Sequence, residues 1–210
     1  MIRIVIADDH AIVRTGLRQY LSEQPDLCVT GEAANGHEAL DLVRQGELDV
    51  LLLDLSMPDQ SGVDALSAIH ARKPELPILI LSGFPEMHYA TTLLKQGASG
   101  YLNKECDPED IVTAIRTVAR GRKYISAAVA EQLASGLDPT AAKEPHELLS
   151  EREFQVFLRL AKGEAIGHIA DGMTLSVKTV STYRSRVMEK MALKSNSDLT
   201  YYALKAGLIQ

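Results

Sequence analysis

Two apolar runs that each end in a carboxylate constrain this chain more than any other feature. Val50-Leu51-Leu52-Leu53 is followed by Asp54 and then, after Leu55-Ser56-Met57, by Pro58. Residues 2–7 run apolar through Ile4, Val5 and Ile6 and are followed by Asp8-Asp9. A charge inside such a run is costly to bury, so each carboxylate belongs just past the buried part, at a strand end. Two parallel strands ending this way set three carboxylates on one edge of a sheet. That is the edge at which open α/β sheets carry their sites.

Strand and helix signals alternate through the rest of the first part. Strands are expected at residues 2–7, 27–33, 48–53, 77–81 and 98–102. Helices are expected at 12–21, 36–45, 62–72, 86–96 and 108–120, where apolar residues recur at helical spacing. Asp107 suits a helix cap and Pro108 a first helical turn, while Gly97 and Gly121 close helices. These βα units have short connections. They imply an α/β fold with a five-stranded parallel, doubly wound sheet covered on both faces.

After residue 121 the pattern changes. Residues 127–133 suit a short helix capped by Ser126, and 135–145 is small, polar and punctuated by Pro139 and Pro145, as in a flexible linker. From residue 148 the periodicity is helical throughout. Ser150 with Glu153 forms a capping box for a helix through Phe154, Phe157, Leu158, Leu160 and Ala161. Residues 165–171 suit a second helix, 177–191 a third capped by Ser176, and 197–206 a fourth closed by Gly207. Two short helices about a tight turn, the second one basic, make a helix-turn-helix candidate. The expected division is 1–121, a connector at 122–147, and 148–210.

Composition enters at three points. The 210 residues carry a net charge of -6, which by itself argues weakly against nucleic acid. Residues 147–210, however, carry 9 Lys+Arg against 7 Asp+Glu, so the acidity belongs to the first part. No window approaches the roughly 18 apolar residues of a membrane span. The start at Met1-Ile2-Arg3 leads straight into a strand pattern without a signal peptide's apolar region. Cys28 and Cys106 match no metal or redox spacing and are expected as reduced thiols of a cytoplasmic protein.

The chemistry follows from the strand ends. Asp8, Asp9 and Asp54 offer hard oxygen ligands, which suit Mg²⁺ better than zinc. Ser82 brings a hydroxyl to the end of the fourth strand, and Lys104 an ammonium just after the fifth. A carboxylate beside a metal can attack a phosphoryl group while metal and lysine offset the developing charge. The alternative for Asp8-Asp9 alone is solvated loop charge; Asp54 and Lys104 at matching strand ends weigh against it. His10 is read as organising the first loop rather than as a ligand or phosphodonor. On the third tail helix, Lys178, Ser181, Thr182, Ser185 and Arg186 project away from the apolar stripe of Val180, Val187, Met188 and Met191. A helix fits the major groove, where such hydroxyls and cations meet base edges and phosphates.

Asp8-Asp9, Asp54 within Leu-Asp-Leu-Ser-Met-Pro, Ser82, Tyr101 and Lys104 together resemble the receiver domain of two-component response regulators, over residues 1–121. The resemblance implies that Asp54 is the phosphoacceptor, phosphorylated from the histidine of a sensor kinase. It implies that Asp8, Asp9 and Asp54 bind Mg²⁺ with the Ser56 backbone carbonyl as a further ligand. Ser82 and Lys104 would then sense the phosphate, and Tyr101 would be the aromatic switch. Lys104-Glu105 departs from the Lys-Pro, with its cis bond, of many receivers.

The segments 148–153 and 176–184, with Lys190-Met191, resemble the LuxR-type DNA-binding domain over residues 148–208. In that family the third of four helices reads the major groove and the fourth helps form a dimer surface. Matching positions imply that Ser181, Thr182 and Ser185 face bases and that Lys178, Thr179, Tyr183 and Arg184 face phosphates, with Arg186 and Lys190 adding contacts. Tyr183 stands where histidine is frequent, His168 where glutamate is usual, and Ala192-Leu193 where Gly-Val is common.

The two resemblances together imply a transcriptional regulator controlled by Mg²⁺-dependent phosphorylation of Asp54. It would accept a phosphoryl group without turning over an external substrate. Its partners would be a sensor histidine kinase, double-stranded promoter DNA, RNA polymerase and, when active, a second copy of itself, with no membrane involved. Rival classes fit parts of the pattern. A Mg²⁺-dependent phosphotransferase or phosphatase would explain the aspartate and metal but not the tail. A receiver signalling by protein contact, its tail binding another regulator, and a regulator indifferent to phosphate are the other readings.

Overall fold

The apolar runs pair side by side in the computed structural model, which describes residues 1–57, 62–83, 86–135 and 144–209. Pro58 and residues 136–143 of the expected linker lie outside the described residues. The chain divides into two compact units, Met1–Leu137 and Asp138–Gln210.

The first unit alternates β1 (Ile2–Ala7), α1 (Ala11–Ser22), β2 (Leu27–Ala33), α2 (Gly36–Gln45), β3 (Val50–Leu53), α3 (Gly62–Arg72), β4 (Ile78–Ser82), α4 (Glu86–Lys95), β5 (Gly100–Asn103) and α5 (Pro108–Val118). The five strands are parallel in the order β2-β1-β3-β4-β5, as the alternation implies. All four β3 side chains are buried, which is why that strand reads as an unbroken leucine run. On one face Ile4, Ile6, Val50, Leu52, Leu79 and Leu81 pack with Ile111, Val112 and Ile115 of α5.

Register decides what the strand ends bring together. Ala7 pairs with Leu53, Leu53 with Ile80, and Ser82 with Asn103. Asp8 and Asp54 therefore leave neighbouring strands at the same level. The Asp54 amide donates to the Ala7 carbonyl (2.8 Å), and the Lys104 amide to the Ser82 carbonyl (2.9 Å). The strand order reverses at β1 and β3, the switch point where such sheets open a crevice.

Some element limits move, for local reasons. The third strand begins at Val50 rather than Leu48. The Asp49 amide still donates to the Arg3 carbonyl at 2.8 Å, but the Arg3 amide turns to the Asp49 carboxylate at 2.8 Å instead of a main-chain carbonyl, and its guanidinium pairs with that carboxylate at 2.9 Å. The fourth strand runs to Ser82, because Ser82 still pairs with Asn103. The fifth begins at Gly100, after Gly97 takes a left-handed φ of +110°. Lys104-Glu105 is trans, as no cis peptide occurs among the described residues.

The expected connector is partly structured. The Tyr124 amide donates to the Ser99 carbonyl at 2.9 Å, and α6 (Ala127–Ser135) packs on α4. Pro145–Leu148 forms a single 3-10 turn.

The second unit holds α7 (Glu151–Ala161), α8 (Ile166–Gly172), α9 (Val177–Lys190) and α10 (Asn196–Lys205). The Ser150/Glu153 capping box forms as expected. A second one, Ser195/Asp198, starts α10 one residue earlier than the periodicity implies. Phe154, Val156, Phe157, Leu160, Ile169, Val180, Val187, Leu199 and Ala203 are the buried core of these helices. The turn between α8 and α9 places Thr174 at a φ of 54°.

Candidate phosphoryl-acceptor site and nucleic-acid interface

At the carboxyl edge of the sheet a lysine bridges two buried carboxylates. Lys104 Nζ lies 2.7 Å from Asp8 Oδ2 and 2.9 Å from Asp54 Oδ2. Asp8 and Asp54 are each only 2% exposed, whereas Asp9 and His10 are open to solvent. Ser82 and Tyr101, both fully buried, lie on the neighbouring strands β4 and β5. The structure thus brings Asp8, Asp9, Asp54 and Lys104 together, with Ser82 and Tyr101 on the strands alongside.

Burial pushes the Asp54 carboxyl above its ordinary value; the attraction of Lys104 opposes this, and the nearby Asp8 charge adds to it. Burial works to lower the Lys104 ammonium, yet Asp54 and Asp8 together leave it raised. The lysine therefore stays charged, shared between two carboxylates. Asp54 Oδ1 is buried and accepts no well-formed hydrogen bond among the described residues; the Ser56 amide lies close enough only to pull the carboxyl weakly down. An orphaned carboxylate oxygen aimed into an acidic cluster is a costly arrangement that a cation or an electrophile would relieve.

Asp8, Asp9, His10 and Asp54 can each present a ligand atom with all of these atoms within 4.8 Å of one another. The carboxylate oxygens and the orphaned Oδ1 fit a hard divalent cation, and the cluster is the Mg²⁺ site of the fold. His10, which the sequence reading set aside as a ligand, both braces the loop and stands within the cluster. Its amide donates to Asp8 Oδ1 at 2.8 Å, and its Nδ1 lies 2.7 Å from Asp9 Oδ1 and 3.2 Å from Asp8 Oδ1. That contact also draws it into ligand range.

One feature of the site escaped the sequence pattern. A Cβ added at Gly62 would lie 2.0 Å from the Asp54 carbonyl oxygen and 2.6 Å from the Leu55 Cα. The start of α3 therefore lies directly on the backbone that carries Asp54, with room only for glycine. A lone glycine at a helix start carries no such signal without the fold.

In the second unit, α9 carries the expected row of hydroxyls and cations. Ser181 Oγ donates to the Val177 carbonyl (2.8 Å), Thr182 Oγ1 to Lys178 (3.0 Å) and Ser185 Oγ to Ser181 (3.1 Å). Each hydroxyl proton is used within the helix, which leaves lone pairs outward. The Lys178 and Arg186 side chains are exposed and make no hydrogen bond or ion pair among the described residues. Thr179 pairs with the cap residue Ser176 at 2.8 Å, Tyr183 is half-buried, and Arg184 Nε donates to Asn196 Oδ1 at 3.0 Å. Lys190 is engaged elsewhere: its Nζ lies 2.6 Å from Glu153 Oε2 and 3.3 Å from the Leu148 carbonyl. The sequence reading also passed over His146, which is buried, stands 2.7 Å from the Tyr202 hydroxyl and ties the 3-10 turn to α10.

Comparison with known proteins places both units. Residues 4–116 match the response regulator receiver domain, and residues 147–203 match the bacterial regulatory proteins of the luxR family. The whole chain is similar to the oxygen regulatory protein NreC of Staphylococcus carnosus, 40% identical over 214 residues (99% of each chain). It is also 36% identical to the response regulator UvrY of Escherichia coli strain K12 over 209 residues, 99% of this chain and 96% of that one. Among solved structures, RcsB of Salmonella enterica serovar Typhimurium, bound to the rprA promoter with the phosphomimetic BeF3-, aligns with a TM-score of 0.67. It is 25% identical over 96% of this chain and 97% of that one.

Fold and acidic edge together define a receiver, a phosphoryl acceptor that does not turn over an external substrate. The chain belongs to the two-component response regulators whose receiver is joined to a LuxR-type helix-turn-helix domain, and it is a DNA-binding member of that family.

Proposed function

We propose that Asp54 accepts a phosphoryl group from the histidine of a sensor kinase, and that this controls binding of α9 to promoter DNA. The observation that carries the reading is the buried Asp54 with one oxygen paired to Lys104 and the other orphaned. Asp8, Asp9 and Asp54, with the Ser56 carbonyl, would hold Mg²⁺. Bound there, the cation would neutralise charge that develops on the transferred group. Oδ1 of Asp54 is the nucleophilic oxygen, since Oδ2 is held by Lys104. As the Oδ1–P bond of an acyl phosphate forms and the P–N bond to the donor histidine breaks, Lys104 turns its ammonium to a phosphoryl oxygen and Ser82 donates its hydroxyl to another. Movement of Ser82 toward the phosphoryl group opens room for Tyr101, and the faces of α4, β5 and α5 shift with it.

In the second unit, Ser181, Thr182 and Ser185 face base edges. Lys178, Thr179, Tyr183 and Arg184 face phosphates, with Arg186 beside them. Lys190 contributes mainly through Glu153. Two copies would read paired half-sites, with α10 in the dimer surface and RNA polymerase as a further partner. We take residues 122–147 as the connector between the two functions. Promoter binding, with Cys28 and Cys106 not joined in a disulfide, supports a cytoplasmic setting. No described helix is long and apolar enough to cross a membrane.

Selection of bound DNA from a random pool, run with and without an acyl phosphodonor, tests the reading. Enrichment of a two-fold symmetric site that strengthens with the donor is expected. No enrichment in either arm would favour a receiver that signals by protein contact, and equal enrichment in both would favour a regulator indifferent to phosphate.

A further inference from the structure

We infer that Arg14 is a positioning residue for the acidic loop, orienting Asp8 and Asp9 toward a divalent cation, and that Glu32 holds Arg14 in that role. Arg14 lies near the start of α1, six residues beyond Asp8. Its Nη1 donates to the Asp8 main-chain carbonyl at 2.6 Å, and its Nε lies 3.4 Å from Glu32 Oε2. The Asp8 amide on the other side donates to the Ala33 carbonyl at 3.0 Å. The Asp8 residue is thus held at both ends, by β2 through its N–H and by Arg14 through its C=O. The Asp8 carboxylate accepts the His10 amide at 2.8 Å, which closes the turn. Together these contacts leave the Asp8-Asp9 peptide little freedom to rotate.

The geometry suits arginine alone. One nitrogen of the guanidinium reaches the loop carbonyl while another reaches the carboxylate on β2. A lysine has a single nitrogen and cannot span both in a fixed plane. Arg18 supplies an internal contrast. It pairs with the other Glu32 oxygen at 3.1 Å and is 56% exposed, against 17% for Arg14. Of these two arginines, Arg14 alone contacts the loop among the described residues. Mg²⁺ demands near-octahedral geometry, so a small rotation of the Asp8-Asp9 peptide costs affinity even with every ligand present. Groups that orient ligands in this way are commonly worth about 10–100-fold in metal affinity.

This inference rests on the reading that the acidic cluster takes Mg²⁺, and the test separates the two. Mg²⁺ is titrated into the full-length chain by calorimetry, with the Mg²⁺-dependent rise of the thermal midpoint as second readout. Neither needs phosphorylation. Arg14→Met is expected to weaken Mg²⁺ binding by about tenfold or more. Arg14→Lys should recover only part, Glu32→Gln should fall between, and Arg18→Met should stay within about twofold of the unaltered chain. If Arg14→Met does not fold, Arg14→Lys and Glu32→Gln carry the same measurement. Mg²⁺ affinity unchanged in Arg14→Met, or unchanged in both of those substitutes, overturns the assignment. So does an equal loss in Arg18→Met. An unaltered chain that binds no Mg²⁺ removes the metal site and this inference together.

Discussion

Asp54 in the α/β unit and Glu153 in the helical unit are both buried carboxylates beside a lysine, at 2.9 Å and 2.6 Å. They differ in what else they touch. Asp54 shares Lys104 with Asp8 and, among the described residues, keeps one oxygen without a well-formed hydrogen bond. Glu153 has Lys190 and also accepts the Ser150 amide at 2.7 Å. Burial drives both carboxyls upward. For Asp54 burial prevails, and the carboxyl stays raised. For Glu153 the Lys190 contact and the Ser150 backbone and hydroxyl together outweigh it, and the carboxyl is held low. A buried charge with satisfied oxygens is a fastening; one left short of partners keeps a raised proton affinity and a place for a cation.

The largest expected effect breaks the pair at Asp54. Asp54→Asn should abolish acyl-phosphate labelling of the chain while leaving it folded, since it removes a buried charge that the fold holds at a cost. Retained labelling would move the acceptor elsewhere. Lys104→Met should leave Asp8 and Asp54 without their shared cation, at a cost of about 3–5 kcal/mol without metal. Added Mg²⁺ should restore part of this, which thermal melts with and without Mg²⁺ would show. An unchanged melt would mean that water already screens the pair.

Lys190→Met probes the fastening. It should lower the stability of the helical unit by about 1–2 kcal/mol, less than the Lys104 change because Lys190 is 41% exposed and Glu153 keeps its Ser150 amide. Denaturant unfolding of the full chain would resolve this as a shift of the second unit's transition alone.

Acid should separate the two units. A raised Asp54 gives up its penalty as pH falls through its folded value toward its unfolded one near 3.8. The lowered Glu153 contributes stability above its unfolded value of 4.5, lost as pH falls through its folded one, and Asp198, lowered at the surface, adds only weakly because solvent screens it. Asp26 and Asp49, lowered by Arg116 and Arg3 at the surface, trim the receiver's gain only weakly because solvent screens them. Calorimetry between pH 7 and pH 3 should therefore see the helical unit melt first. Simultaneous loss of both would refute the contrast.

The smallest effect concerns the interface. Lys178→Ala should weaken DNA binding across all sequences and reduce the salt slope by about 1. Lys190→Met should leave that slope nearly unchanged, since its ammonium is already bound to Glu153. Equal slopes for the two variants would return Lys190 to the phosphate contacts.

Much of the site was legible because it is local to strand ends. The leucine run before Asp54, the apolar run before Asp8-Asp9 and the residues after β4 and β5 all mark one edge of a parallel sheet. Capping boxes are legible for a similar reason, as their partners stand three residues apart. Arg14, Gly62, His146 and the Glu153–Lys190 pair were not legible. Each draws its meaning from a partner that another element brings in: Glu32 for Arg14, Asp54's backbone for Gly62, Tyr202 for His146. Lys190 shows the consequence: the sequence offers it as a further cation of a basic helix, and only the fold sets Glu153 beside it.

The amino-acid sequence by itself determined the alternation of strands and helices, the carboxylates at the strand ends and the row of hydroxyls and cations on α9. Those follow from periodicity and from the cost of burying charge within a run. Tertiary structure alone decided which lysine each carboxylate meets, how many partners each oxygen finds and hence whether its proton affinity rises or falls. Burial and pairing depend on chain segments that meet only after the sheet and the helical unit have closed.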